Sequence, residues 1–126
     1  MLKKIRKILE KEKKVIFAYV FGSYARSKYF KDVDIAVFVR GKTSLDFETD
    51  LALKIEREIK KPVDVILLND KPLLVVSEVL KNGKLIFSKD ERRRINYEVL
   101  MLSKILDFNE LMKEFDKIRF ERYGIR

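Results

Sequence analysis

The stretch Gly22-Ser23-Tyr24-Ala25-Arg26-Ser27-Lys28-Tyr29-Phe30-Lys31-Asp32-Val33-Asp34-Ile35-Ala36-Val37 decides how this chain is read. Before it runs Val15-Ile16-Phe17-Ala18-Tyr19-Val20-Phe21, an apolar segment of strand length that stops at Gly22. Such a run predicts a strand buried on both faces, and the glycine at its end predicts a sharp turn. A second apolar run, Val33 to Val39, stops at Arg40-Gly41-Lys42, and Asp32 and Asp34 open it. Side chains at i and i+2 of a strand project from one face, so these two carboxylates point the same way.

Downstream, Thr43 and Ser44 offer an N-cap, and Phe47, Leu51, Ile55 and Ile59 recur every four residues until Pro62. This spacing predicts a long helix across the sheet. Val63-Asp64-Val65-Ile66-Leu67-Leu68 reads as a third strand, entered by Asp64 at a depth like that of Asp34. Adjacency of the two strands would add a third carboxylate to the pair. Pro72 stands near the first turn of a shorter helix that Asn82-Gly83 terminates, and Lys84 to Phe87 reads as a fourth strand.

At the amino end Leu2, Ile5, Ile8 and Leu9 predict an amphipathic helix. At the carboxyl end Ser88 and Glu91 have the capping-box form, and Ile95, Val99, Leu102 and Leu106 give a helical stripe expected to face the core. Asp107 and Glu110 repeat the capping pattern ahead of a last helix with Leu111, Phe115 and Ile118. Alternating strands and helices predict an α/β (α+β) fold: a small mixed sheet of about four strands, flanked by helices, with a helical C-terminal extension. One domain is expected over 1–126, its core in 1–88 and its C-terminal helices in 89–126.

The 126 residues contain no cysteine, which excludes disulfides, thiolate nucleophiles and thiolate metal sites. They contain no histidine, which removes the usual general base and the commonest transition-metal ligand. Chemistry must therefore run on carboxylates, hydroxyls, Lys and Arg, groups that suit magnesium or manganese and not zinc. No apolar run reaches membrane-helix length, and a cytoplasmic location is expected. The formal charge of +9 admits an anionic ligand, but interspersed Lys and Glu with no Gln also describe a heat-adapted surface. No nucleic-acid recognition motif accompanies the charge.

Nucleotidyl transfer needs divalent ions to neutralise a triphosphate, and those ions need carboxylates at fixed separation on a rigid element. Asp32, Asp34 and Asp64 meet that need as catalytic and metal-binding candidates. Gly22 lets backbone approach a phosphate, Ser23 can cap a following turn, and Arg26 can reach a phosphate oxygen, so these three are the nucleotide-binding candidates. Taken singly, each residue is equally well a turn former or a surface pair; their joint order is what packing does not demand. Three neighbouring carboxylates repel one another unless a cation joins them.

The quoted stretch, with Pro62-Val63-Asp64-Val65-Ile66 and the Asn69-Asp70-Lys71-Pro72 and Asn82-Gly83-Lys84-Leu85-Ile86-Phe87 segments, resembles the minimal nucleotidyltransferases of the polymerase-beta-like superfamily. The resemblance implies transfer of AMP from ATP to a hydroxyl, dependent on Mg2+ or Mn2+. It implies as partner a HEPN-type toxin whose tyrosine is the acceptor. The family's usual loop is longer than the eight residues from Tyr24 to Lys31. A shortened loop makes Asp32 and Asp34 the metal pair; preserved spacing would make it Asp34 and Ala36, with one ligand lost. The rival readings are a binding module that masks its partner without catalysis and a small-molecule nucleotidyltransferase. Tyr24 and Tyr29 are candidates for base stacking, Arg92-Arg93-Arg94 for a basic patch, and Phe115, Phe120 and Tyr123 for a partner or homodimer contact.

Overall fold

The computed structural model describes residues 1–22 and 32–123. In chain order the elements are α1 (Leu2–Lys11), β1 (Val15–Phe21), β2 (Val33–Val39), α2 (Phe47–Ile59), β3 (Val63–Leu67), a 3-10 turn (Leu68–Asp70), α3 (Leu73–Asn82), β4 (Lys84–Ser88) and α4 (Glu91–Tyr123). The four strands form one sheet in the order β3-β2-β1-β4. β1 runs antiparallel to β2 and β4, whereas β2 and β3 are parallel, joined by α2 as a crossover helix. The two apolar runs are thus the central strands, and the shorter β3 and β4 are the edges.

Period-two alternation divides the core between the two faces. Val33, Ile35, Val37 and Val39 of β2 pack with Ile5, Leu9, Leu51 and Ile55 under α1 and α2. Ala36 and Phe38 belong to the opposite layer, with Phe17, Tyr19, Val76, Val79, Tyr97 and Met101 under α3 and α4. The stripes of α1 and α2 predicted from spacing supply the buried residues Ile5, Leu9, Leu51 and Ile55. Gly83 ends α3 where an added Cβ would stand 2.4 Å from the Val79 carbonyl oxygen.

Local signals misplace three helix features. α2 starts after a Ser44-Leu45-Asp46 turn, with Asp46 and not Thr43 or Ser44 at the N-cap; the Phe47 amide donates to the Ser44 carbonyl at 3.2 Å. α4 is capped by Asp90, whose Oδ1 accepts from the Arg93 amide at 3.1 Å. Asp90 immediately precedes the helix, within reach of its third free amide, as an N-cap requires and Ser88 does not. Finally, α4 is one helix of 33 residues with no break at Asp107 or Glu110. Neither Gly nor Pro lies between Asp107 and Leu111, so the exposed polar side chains interrupt nothing.

The Ile95, Val99, Leu102 and Leu106 stripe also differs from expectation. It is exposed, and α4 meets the body through Tyr97, Met101 and Ile105. Arg94 is held between Glu91 and Glu98, donating to Glu98 Oε1 at 2.9 Å, while Tyr19 donates its hydroxyl hydrogen to Glu98. Burial, then the Glu98 contact, pushes the Tyr19 hydroxyl far above its ordinary range. A buried polar group of this kind persists where it is hydrogen-bonded, and this network selects the face of α4 that meets the sheet. Beyond Ile105, Phe108 and Met112 are half-buried and no described side chain is buried.

Candidate functional site

Two hydrogen bonds, at the starts of β2 and β3, position the carboxylates. The Val33 amide donates to the Pro62 carbonyl at 3.0 Å, tying the beginning of β2 to that of β3. The Val63 amide donates to Glu56 Oε1 at 2.9 Å, which anchors β3 to α2. The resulting register sets Val33 opposite Val63 and Asp34 opposite Asp64. On its other side Asp34 stands opposite Phe21, the last residue of β1. Asp34 and Asp64 are therefore neighbours on adjacent strands, projecting from the α3/α4 side of the sheet.

Gly22 follows directly. Its φ is +70°, in the left-handed region, and a Cβ built on it would lie 2.1 Å from Asp34 Oδ2. Glycine is required here twice, for the turn and for the closeness of a carboxylate. Sequence reasoning anticipated a close approach by phosphate; the structure adds that the Asp34 side chain itself occupies the space a larger residue would fill.

Asp34 is half-buried, while Asp32 and Asp64 are exposed. Burial first, then the charges of Asp64 and Asp32, raise the Asp34 carboxyl above its usual range. The mutual repulsion of the three groups is thus expressed at the one between the other two. Among the described residues no three such side chains close into a ready-made cation cage. An all-oxygen donor set that approaches without closing fits magnesium, which is commonly held by one or two carboxylates and completed by substrate phosphates and water.

Ser23 and Arg26, like Tyr24 and Tyr29, lie outside the described residues, as do the side chains of Phe120 and Tyr123. Ala36, the alternative partner of Asp34, is fully buried beneath α3 and α4. Within the arginine run Arg92 and Arg93 are exposed, the Arg93 guanidinium stands 5.4 Å from the centre of the Phe38 ring, and Arg94 is paired with Glu98. Sequence reasoning missed a cleft of about 530 Å3 at the far end of β2, lined by Phe38, Asn69, Lys71, Tyr97, Met101 and Lys104 among others. It also missed Asn69, whose amide bridges the Val39 amide and carbonyl at 3.0 and 2.9 Å; a side-chain amide mimicking a strand has no sequence signature.

With this geometry, residues 3–92 match the family described as Polymerase beta, Nucleotidyltransferase. The chain belongs to that family. It therefore carries a nucleotidyltransferase domain, and the parallel Asp34–Asp64 pair sits within the matched span. No curated protein matches the sequence. Among solved structures, a chain from a toxin–antitoxin complex with AMP-PNP is similar at 23% identity and TM-score 0.75, covering 93% of this chain and 97% of that one. A chain of the MntA–HepT toxin–antitoxin is similar at 22% identity and TM-score 0.72, covering 93% and 95%. A third, from a tri-AMPylated Shewanella oneidensis HEPN toxin in complex with MNT antitoxin, has 22% identity and TM-score 0.72, covering 94% and 98%. At these identities the likeness establishes a shared fold, the polymerase-beta-like nucleotidyltransferase fold with its C-terminal helix. Among the described residues no helix is long and apolar enough to cross a membrane.

Proposed function

We propose that the protein transfers AMP from ATP to a hydroxyl of a protein acceptor, a HEPN-type toxin, in a reaction dependent on Mg2+ or Mn2+, and so acts as its antitoxin. The observation that carries this reading is the register of Asp34 with Asp64 beside Gly22. In a nucleotidyltransferase domain, paired carboxylates at a strand mouth are the group expected to hold metal and triphosphate. The solved structures of similar fold include one with an ATP analogue and one with an AMPylated toxin, which supports the choice of nucleotide and acceptor.

Asp32, Asp34 and Asp64 are the metal-binding and catalytic residues of this proposal. The buried Ala36 supports Asp32 over Ala36 as the companion of Asp34. The ion would supply charge neutralisation at the phosphates. The acceptor hydroxyl oxygen forms a bond to the α-phosphorus as the bond from that phosphorus to the bridging oxygen breaks. AMP stays on the acceptor, pyrophosphate leaves, and Asp64 takes the hydroxyl proton on its way to solvent. Gly22 keeps the approach to the phosphates open, and Ser23 and Arg26 are assigned to the phosphates on sequence alone.

The variant Asp34→Asn should still bind nucleotide but release no pyrophosphate when given ATP, magnesium and a HEPN-type toxin. Pyrophosphate release at the wild-type rate by this variant would remove the assignment.

A further inference from the structure

We propose that the outward face of α4 pairs two copies of this chain through an antiparallel, two-fold helix contact. Ile95, Val99, Leu102 and Leu106 are 48%, 59%, 45% and 65% exposed, although they follow one another at the four-three-four spacing of a packed helix. At about 100° per residue they lie opposite Tyr97, about 130° round the helix from Met101 and about 90° from Ile105, the residues that α4 turns to its own sheet. The helix thus carries an apolar stripe that the chain itself does not cover. A polar outer face is what a solvated surface helix ordinarily presents.

The flanking charges are complementary to those of a second copy in antiparallel orientation. Arg92 and Glu110 lie eighteen residues apart, about five full turns, and so on the same flank of the stripe. The midpoint of the stripe falls between Val99 and Leu102. A two-fold axis there sets Ile95 against Leu106 of the second copy and Val99 against Leu102. It also brings Arg92 to within one residue of the level of Glu110 of the second copy, on the same flank, twice over. Among the described residues Glu110 pairs with Lys113, at 3.5 Å with both side chains 75% exposed, a pair that competes weakly.

Sedimentation equilibrium of the full chain is expected to give a dimer, and Leu102→Glu with Leu106→Glu a monomer with unchanged helical circular dichroism. Arg92→Glu and Glu110→Arg should each raise the dimer dissociation constant about tenfold, the scale of two exposed ion pairs lost together. The combined Arg92→Glu, Glu110→Arg chain should return to the wild-type value. A wild-type monomer, or a dimer indifferent to all of these substitutions, overturns the proposal. If the monomer binds the toxin and the Leu102→Glu, Leu106→Glu chain does not, the face belongs to that partner. Pyrophosphate release is an independent readout, so failure here leaves the proposed reaction standing or falling on its own test.

Discussion

The two faces of the sheet use the same strand for opposite purposes. On β2, Val33, Ile35, Val37 and Val39 are sealed under α1 and α2, each 2% exposed or less. The intervening residues Asp34, Ala36 and Phe38 meet a graded environment: carboxylates at one end, a buried alanine, then an aromatic ring under Tyr97 and Arg93. The sealed face fixes where each backbone atom lies; the other spends one end of its column on charges that packing does not favour. That end is where Gly22 and Asp64 converge on Asp34, so the carboxylate geometry rests on a register held by the sealed face.

The largest expected effect comes from breaking the convergence without breaking the sheet. Gly22→Ala places a methyl where Asp34 Oδ2 now stands, and the flexible end of that side chain can swing aside. The left-handed backbone adds about 1–2 kcal/mol of strain. Transfer activity should fall about 10³-fold, the scale of losing a preorganised electrostatic contact, while thermal unfolding shows a modest shift. A variant that unfolds outright, or one that transfers normally, would mean that Asp34 is not positioned by this turn.

Ile35→Ala probes the other face. It removes a fully buried side chain beneath α1 and α2 and should cost about 2–5 kcal/mol in denaturant unfolding. Activity per folded molecule should stay near wild type if register alone is what that face provides.

The smallest effect concerns the repulsion at Asp34. Its folded-state pKa is raised, by burial first and then by Asp64 and Asp32. Below the ordinary carboxylate range the group is neutral folded and unfolded, and contributes nothing. As pH rises through the raised pKa, ionisation in the folded state costs stability. Without divalent metal, Asp34→Asn should therefore be more stable than wild type at neutral pH, with the difference closing as pH falls below about 4. Unfolding curves at several pH values read this directly; equal pH dependence in the two proteins would show that the Asp34 carboxyl is not raised in the folded state.

Much of this division was legible in the sequence because it follows from periodicity. The apolar run Val15–Phe21 and the almost wholly apolar run Val33–Val39 read as buried strands, and Asp34 with Asp64 at similar depth anticipated the register. The α4 stripe was misread because periodicity reports that a face is apolar, not what covers it. Tyr97, Met101 and Ile105 compete for the same role, and the choice between them lies in the Tyr19–Glu98–Arg94 network, whose members are far apart along the chain. Helix starts were misplaced for a related reason: Ser, Thr and Asp are interchangeable caps, and only the backbone decides among neighbours.

The central claim, that Asp34 and Asp64 hold a divalent ion with the nucleotide beside Gly22, is tested most directly by manganese electron paramagnetic resonance with AMP-PNP. Wild type should sequester Mn2+ in a nucleotide-dependent way, and Asp34→Asn should leave the free Mn2+ signal as it is without protein. Undiminished, nucleotide-dependent Mn2+ binding by Asp34→Asn would contradict the account.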